Sequence, residues 1–393
     1  MALIRGGLSP KDLADLLRQA RENAKITQAA AAAALDVART TLVAMEQGQR
    51  RPRVDELQKL AVLYGLSLNE LLRQEGIRVD LRPRFRHAGE QSEKLQAAIE
   101  LLNRLVQAEV EFEDLLGIQR MRLDPPERPL LPGNIGLQAE QDAAELRQWL
   151  GLGLAPVHDI VSLLELQLGA RVYIRKLDPK ISGLYAFDER AGACILLNAE
   201  HPRARRTQTG AHELGHFIST RYAPDTLHEG TPESTREERY ANAFARCFLT
   251  PARAVHVKFQ ELTAGASKLT RRHIILLAHV FGVSREAMVR RLEELELAKP
   301  GTWDWFSQQG GITDKQATEV LGDLIPPDDA KVHARRQISI RMGVMASEAW
   351  RQALLSEGQI ARLLHIDRVD ARTLIDEFEA EGAVTDGSRS FSA

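Results

Sequence analysis

Cysteine is nearly missing from this chain: Cys194 and Cys247 are the only two in 393 residues, and no metal-type spacing relates them. That excludes a disulfide scaffold and fits a reducing cytosol. Long hydrophobic runs are missing too. The longest uncharged one, HIILLAHVFGV, is too short to span a bilayer and holds two histidines. The opening MALIRGGLSPKDLADLL meets charge almost at once and does not read as a secretory signal. A soluble cytoplasmic protein with no membrane partner is expected. Charge of one sign is also lacking, since the net charge is −2 and the whole molecule carries no footprint for a polyanion.

What is present is an ordinary globular composition, 44% hydrophobic and 27% charged. The length suits two or three domains of about 100–200 residues each. The charge is uneven. From Met1 to Arg53 there are nine Lys/Arg against five Asp/Glu, an excess of four positive charges that suggests one DNA-facing module.

Residues 11–73 read as five short helices. Leu13, Leu16, Leu17 and Ala20 recur at helical spacing in the first. Thr27 is a fair N-cap for the alanine-rich second, and a third, with Leu42 and Met45 inward, stops at Gly48. Two short helices joined by a tight turn are the plan of a helix-turn-helix. The stretch from Thr27 to Leu72 resembles the Cro/C1-type (XRE) repressor family. Gln28, Leu42, Glu46, Gly48 and Pro52 fill its usual positions, while Ala31 replaces a leucine and Asp36 the turn glycine. Aspartate tolerates left-handed φ, so the turn survives. The resemblance implies a recognition helix over about 38–47 reading double-stranded operator or promoter DNA. Arg39, Thr40, Val43 and Ala44 are its base-facing candidates, Gln28 and Thr41 join them as DNA-binding candidates, and Arg50, Arg51 and Arg53 suit phosphate. The bland alternative is a small all-α protein-interaction domain.

Residues 92–116 read as a long helix whose apolar stripe is interrupted by Glu109. It either pairs two copies as a short coiled coil, giving a homodimer, or packs against the next domain. RLDPPERPLLPGN then brings four prolines and a glycine, a domain boundary. Two amphipathic helices and three strands follow, ARVYIRKL, SGLYAF and ACILLN. ACILLN is expected to offer an exposed edge to an extended peptide.

Next comes AHELGHFIST. Residues i and i+4 share a helix face, so His212 and His216 can present imidazole nitrogens to one ion. Glu213 flanks the same ion as a base, not a ligand. Chance produces this motif often enough that a second feature is needed. A catalytic zinc takes three protein ligands and keeps one position open. Glu238, on the helix STREERYANAFARCFLTP, is the third donor, and Asn242, four residues on, can fix a histidine tautomer. Together PVHDIVSLLELQLGARV, ISGLYAF, ILLN, AHELGHFI and EERYANAFARCFLTP resemble the ImmA/IrrE-type zinc metallopeptidases, from about Leu146 to Leu295. The resemblance supports Glu238 as third ligand. It departs at Gln208 and Gly210, where that family places apolar residues that seat the helix.

Three readings of the motif stand side by side: a metal-free structural histidine pair, a zinc site kept for structure or sensing, and a working peptidase. Tyr185, Tyr222, His201 and His228 are candidates to hold the oxyanion, whereas His273 and His279 are not expected to be ligands. The expected fold is α+β and mostly helical. A helix-turn-helix domain occupies 1–75 and a helical, Pro-rich linker 76–130. A zincin-like domain, a small antiparallel sheet beside the HExxH helix, spans 131–300, and a helical accessory region 301–393. The last holds a second helix-turn-helix-like stretch that binds a partner, dimerises or covers the core. The expected function is a DNA-binding regulator whose zinc peptidase makes limited cuts in a repressor or antitoxin. The rival is a repressor or antitoxin whose zincin fold only binds a partner protein, such as a toxin, or senses a signal.

Overall fold

The computed structural model describes residues 10–64, 81, 93–223, 225–228, 235–322 and 338–383. The chain divides into two compact units at Arg78/Val79.

In the first unit, α1 (Pro10–Asn23), α2 (Gln28–Leu35), α3 (Arg39–Glu46) and α4 (Val54–Leu63) enclose Leu13, Leu17, Ala31, Leu35, Leu42, Met45, Leu57 and Leu60. The Thr27 hydroxyl accepts from the Ala30 N–H, which caps α2. Asp36 takes φ 56° and ψ 45° and turns the chain into α3, so the aspartate does adopt the left-handed geometry of the glycine it replaces. Ala31 is fully buried, and its small side chain suits a close approach of helices. The fifth expected helix lies outside the described residues.

The second unit opens with α5 (Glu93–Leu116), an extended strap over 118–134, and α6 (Ile135–Trp149). A short α7 (Ile160–Ser162), capped by Asp159, runs into a π-helical turn at Leu163–Gln167. Then come β1 (Arg171–Arg175), β2 (Ile181–Asp188), β3 (Gly192–Asn198), α8 (Arg203–Ser219), β4 (Asp225–His228) and α9 (Arg236–Leu249). The chain continues through α10 (Ala252–Leu262), α11 (Arg271–Phe281), α12 (Arg285–Glu294), α13 (Thr302–Gln308) and α14 (Asp314–Leu321). It closes with α15 (Ile340–Arg351), α16 (Glu357–Leu364) and α17 (Arg368–Ala383).

The sheet order is β1-β3-β2-β4. Two expectations change here. The sheet is mixed rather than antiparallel throughout, because β1 pairs β3 in parallel. ACILLN is also no edge: β3 lies between β1 and β2, and β4 closes the far side. The cause is the β1–β2 loop, which passes over the end of β3. The buried Asn198 amide holds it there, donating to the carbonyls of Asp178 and Ile181 and accepting from the Leu177 N–H. A polar side chain at the end of an apolar strand thus fastens the crossing loop.

Helices cover both faces, so β3 is buried along its whole length. Tyr185, Phe187, Ile195 and Leu197 point into a core with α6, α8, α9 and α11. Tyr173, Leu184, Ala186 and Leu196 point the other way, onto α5 and α15–α17. The stripe of α5 therefore packs against the sheet, and the C-terminal helices cover that face. Glu109, the break in the stripe, meets the Tyr173 hydroxyl at 2.5 Å and pairs with Arg120 and Arg171. Nearby Glu113 is pushed up by burial, but hydrogen bonds from Arg171 and Arg120 outweigh that and hold it below the usual carboxylate range.

α16 and α17 repeat the geometry of α2 and α3. Each pair has a first helix of eight residues, a left-handed cap (Asp36; His365, φ 53°, ψ 46°) and a second helix that starts at an arginine three residues later. In the first copy Arg39 donates to the neutral Gln28 at 3.3 Å. In the second, the exposed Arg368 faces Glu357 at 3.8 Å, a carboxylate that it shares with Arg372.

Candidate metal centre and DNA-facing helix

α8 runs along the sheet, and its last three turns carry the motif. His212 and Glu213 are fully buried and His216 is 3% exposed. The imidazoles converge, with the two Nε2 atoms 3.1 Å apart. Glu238 enters from the first turn of α9, where the Thr235 hydroxyl caps the helix by accepting from the Glu238 N–H. Its Oε2 lies 3.5 Å from His212 Nε2 and its Oε1 3.4 Å from His216 Nε2. The helices can meet this closely because Gly215 has no side chain: a Cβ there would sit 3.0 Å from the Ala241 Cα. Gly210, one of the departures, has a similar reason, since a Cβ there would sit 3.0 Å from Ile160 Cγ2 of α7. The apolar contact is supplied from the facing helix instead.

These distances can be tested against an ion. Zinc bonds of about 2.0–2.2 Å at tetrahedral angles place neighbouring donors about 3.3–3.5 Å apart. The three donor separations, 3.1, 3.4 and 3.5 Å, fall close to that. Two imidazoles and one carboxylate are also a borderline-soft donor set of the kind zinc takes. The other imidazole nitrogens are engaged as a ligand's should be. His212 Nδ1 is 2.9 Å from Asn242 Oδ1, and His216 Nδ1 is 3.0 Å from Thr220 Oγ1. Thr220 escaped the sequence reading, although its spacing four residues after His216 on a helix was a usable signal. No other group of three or more such donors is found among the described residues.

Glu213 points to the sheet side. A Cβ at Gly183 of β2 would lie 2.8 Å from Glu213 Oε1 and 2.7 Å from Thr209 Cγ2, so the strand makes room for this carboxylate by carrying no side chain. The oxyanion candidates fare differently. The Tyr185 hydroxyl donates to the Arg221 carbonyl, and its ring stacks beside His216 at 6.5 Å. Burial holds that hydroxyl well above the usual tyrosine range. Tyr222 is 52% exposed, edge-on to Phe187. His201 Nε2 meets the Pro179 carbonyl at 3.0 Å, and His228 pairs through its backbone in β4. His273 serves instead in the capping box of α11.

In the first unit Arg39 and Thr40 are exposed at the start of α3, and Thr41, Val43 and Ala44 are half-buried on it. Gln28 donates to Glu46 at 3.0 Å and accepts from Arg39, so it ties the exposed arginine to a buried carboxylate. Arg51 and Arg53 are exposed, but Arg53 approaches Glu56 at 3.5 Å and Arg50 donates to Glu56 at 2.8 Å. Burial pushes Glu56 up, yet the bonds and charges of Arg50 and Arg53 together outweigh it and hold the acid low. Arg50 therefore serves the loop as well as any phosphate.

Among the described residues no helix is long and apolar enough to cross a membrane. No curated protein matches the chain. Residues 17–71 match the helix-turn-helix family model, which supports a DNA-binding regulator. Residues 166–293 match the IrrE N-terminal-like domain, a peptidase-like domain that spans the sheet, α8 and α9. The two matches and the two folds agree, and the chain joins a helix-turn-helix domain to an IrrE N-terminal-like domain in one polypeptide.

Proposed function

We propose that this chain is a cytoplasmic DNA-binding regulator whose central domain is a zinc peptidase making limited cuts in another regulatory protein. The observation that carries it is the convergence of His212, His216 and Glu238 beside a buried glutamate that is not one of the three. His212, His216 and Glu238 hold the ion. Bound zinc supplies Lewis acidity, polarising a peptide carbonyl and making water a better nucleophile at neutral pH. Glu213 takes the proton of the attacking water on its carboxylate and returns it to the leaving amine nitrogen. Asn242 keeps the His212 ring turned so that Nε2 faces His216 and Glu238 and would be free to hold the ion.

The substrate is an extended segment that adds to the outer side of β4, where no strand pairs among the described residues. A folded protein seldom offers such a segment, so cleavage is confined to one flexible loop of a repressor or antitoxin. DNA binding brings enzyme and substrate to one place and raises their local concentration.

The direct test is metal content. The purified chain is expected to hold about one zinc, as three converging protein ligands imply. A His212→Ala, His216→Ala double variant should hold none, and full occupancy in that variant sinks the assignment. A second result follows from Gly183. Gly183→Ala should fold and keep zinc, because its clashes are with the Thr209 methyl at 2.7 Å and the Glu213 carboxylate at 2.8 Å, and not with His212, His216 or Glu238. Displacing that carboxylate by an ångström should lower turnover by about 10²-fold. A zinc-loaded Gly183→Ala protein with undiminished cleavage would refute the role given to Glu213's position.

A further inference from the structure

We infer that Thr220 is the positioning residue for His216, the counterpart of Asn242 for His212; this rests on the zinc reading above. Thr220 grips His216 at two points. Its N–H donates to the His216 carbonyl at 2.9 Å, and its Oγ1 lies 3.0 Å from the His216 Nδ1. It stands at the end of α8 with φ −135° and ψ 44°, where the chain leaves helical geometry, so its side chain turns back along the last turn.

When a metal takes the Nε2 lone pair, the ring proton must sit on Nδ1, and the Thr220 oxygen is placed to accept it. With Nδ1–H directed at the Thr220 oxygen, the lone pair is on Nε2, which faces His212 Nε2 and Glu238 Oε1. The other tautomer would aim an N–H at the ion and lose a ligand. The turn holding Thr220 is anchored in its own right. Ala223 N–H donates to the Thr220 carbonyl, Arg128 N–H to the Ile218 carbonyl, and Arg221 reaches the Pro125 carbonyl on the strap. Tyr185 donates to the Arg221 carbonyl and lies beside the His216 ring. The Pro-rich segment therefore clamps the end of α8 on which the second ligand depends.

The experiment is zinc competition against a chromophoric chelator, with the full chain and zinc ion alone as the probe. Thr220→Val keeps the shape and removes the hydroxyl, and Thr220→Ala removes it with less bulk. Both should bind zinc about 10–100-fold more weakly than wild type, the usual range for such partners. Thr220→Ser should restore wild-type affinity. With cobalt in place of zinc, the visible spectrum of the valine variant should change while near-ultraviolet circular dichroism of the apoprotein does not. If valine fails to fold, the alanine variant carries the same comparison. Wild-type affinity in a folded Thr220→Val or Thr220→Ala protein overturns the proposal, as does a serine variant as weak as either. A wild-type chain that binds no zinc is a separate outcome, and it overturns the metal site itself.

Discussion

Glu213→Gln should leave about one zinc bound and lower peptide cleavage by about 10²–10⁴-fold, the usual contribution of a positioned general base. The substitution suits the question because Glu213 is fully buried and packed against β2, where an amide of the same shape can fit. Zinc should stay because the three converging donors are His212, His216 and Glu238. Only the ability to accept a proton goes. Incubating wild type and variant with proteins encoded beside the gene gives the readout. Defined fragments from wild type alone establish a peptidase. A stable complex with no cleavage by either points to the rival, a binding module built on a zincin fold. Fragments from both in equal yield remove Glu213 from the mechanism.

The convergence of His212, His216 and Glu238 was legible because its parts are local. Four-residue spacings on two helices already put His212 beside His216 and Glu238 on the face of Asn242, and the structure adds only that these faces meet. What was illegible depends on contacts between distant segments. Nothing in ACILLN says that a loop held by Asn198 crosses its end and places it inside the sheet. The Pro-rich stretch reads as a linker because prolines break helices and strands. In the structure it is a strap whose Leu123 N–H bonds the Leu168 carbonyl and whose Arg128 N–H bonds the end of α8. Glu109 looked like a flaw in an apolar stripe until Arg120, Arg171 and Tyr173, from elsewhere in the chain, met it. Gly183 and Gly215 carry no signal at all in sequence, since what matters is the atom that a side chain would strike.

The largest stability effect is expected at Glu46, and it separates folding from readout in the DNA-facing unit. Glu46 is 4% exposed and takes a hydrogen bond of 2.6 Å from the Arg21 Nε, with a second of 3.1 Å from Nη2. That bond to Glu46 raises Arg21 above the ordinary arginine range. Glu46→Ala leaves the buried Arg21 guanidinium only the Ile26 carbonyl at 3.1 Å and the Glu22 carboxylate at 3.5 Å, and breaking such a pair costs about 3–5 kcal/mol. Small domains have about 5–15 kcal/mol in total, so a large part of the margin goes. Promoter binding by the full chain should fall with the loss of the low-temperature thermal transition. Replacing both partners, Arg21→Met with Glu46→Leu, should restore that transition, since apolar pairs of similar volume are neutral or better than buried ion pairs. DNA recognition should return only in part. Gln28 loses its acceptor on Glu46, and Arg39 then loses the fixed Gln28 carbonyl that orients it. The double variant should therefore prefer its promoter over random DNA by less than wild type does, losing about 1–3 kcal/mol of discrimination, as Arg39→Ala should. Its steep dependence on salt should remain, because Arg51 and the other phosphate-facing cations are untouched. Full discrimination in the double variant would show that Arg39 needs no such support, and an unchanged thermal transition in Glu46→Ala would remove the buried pair from the stability of the unit.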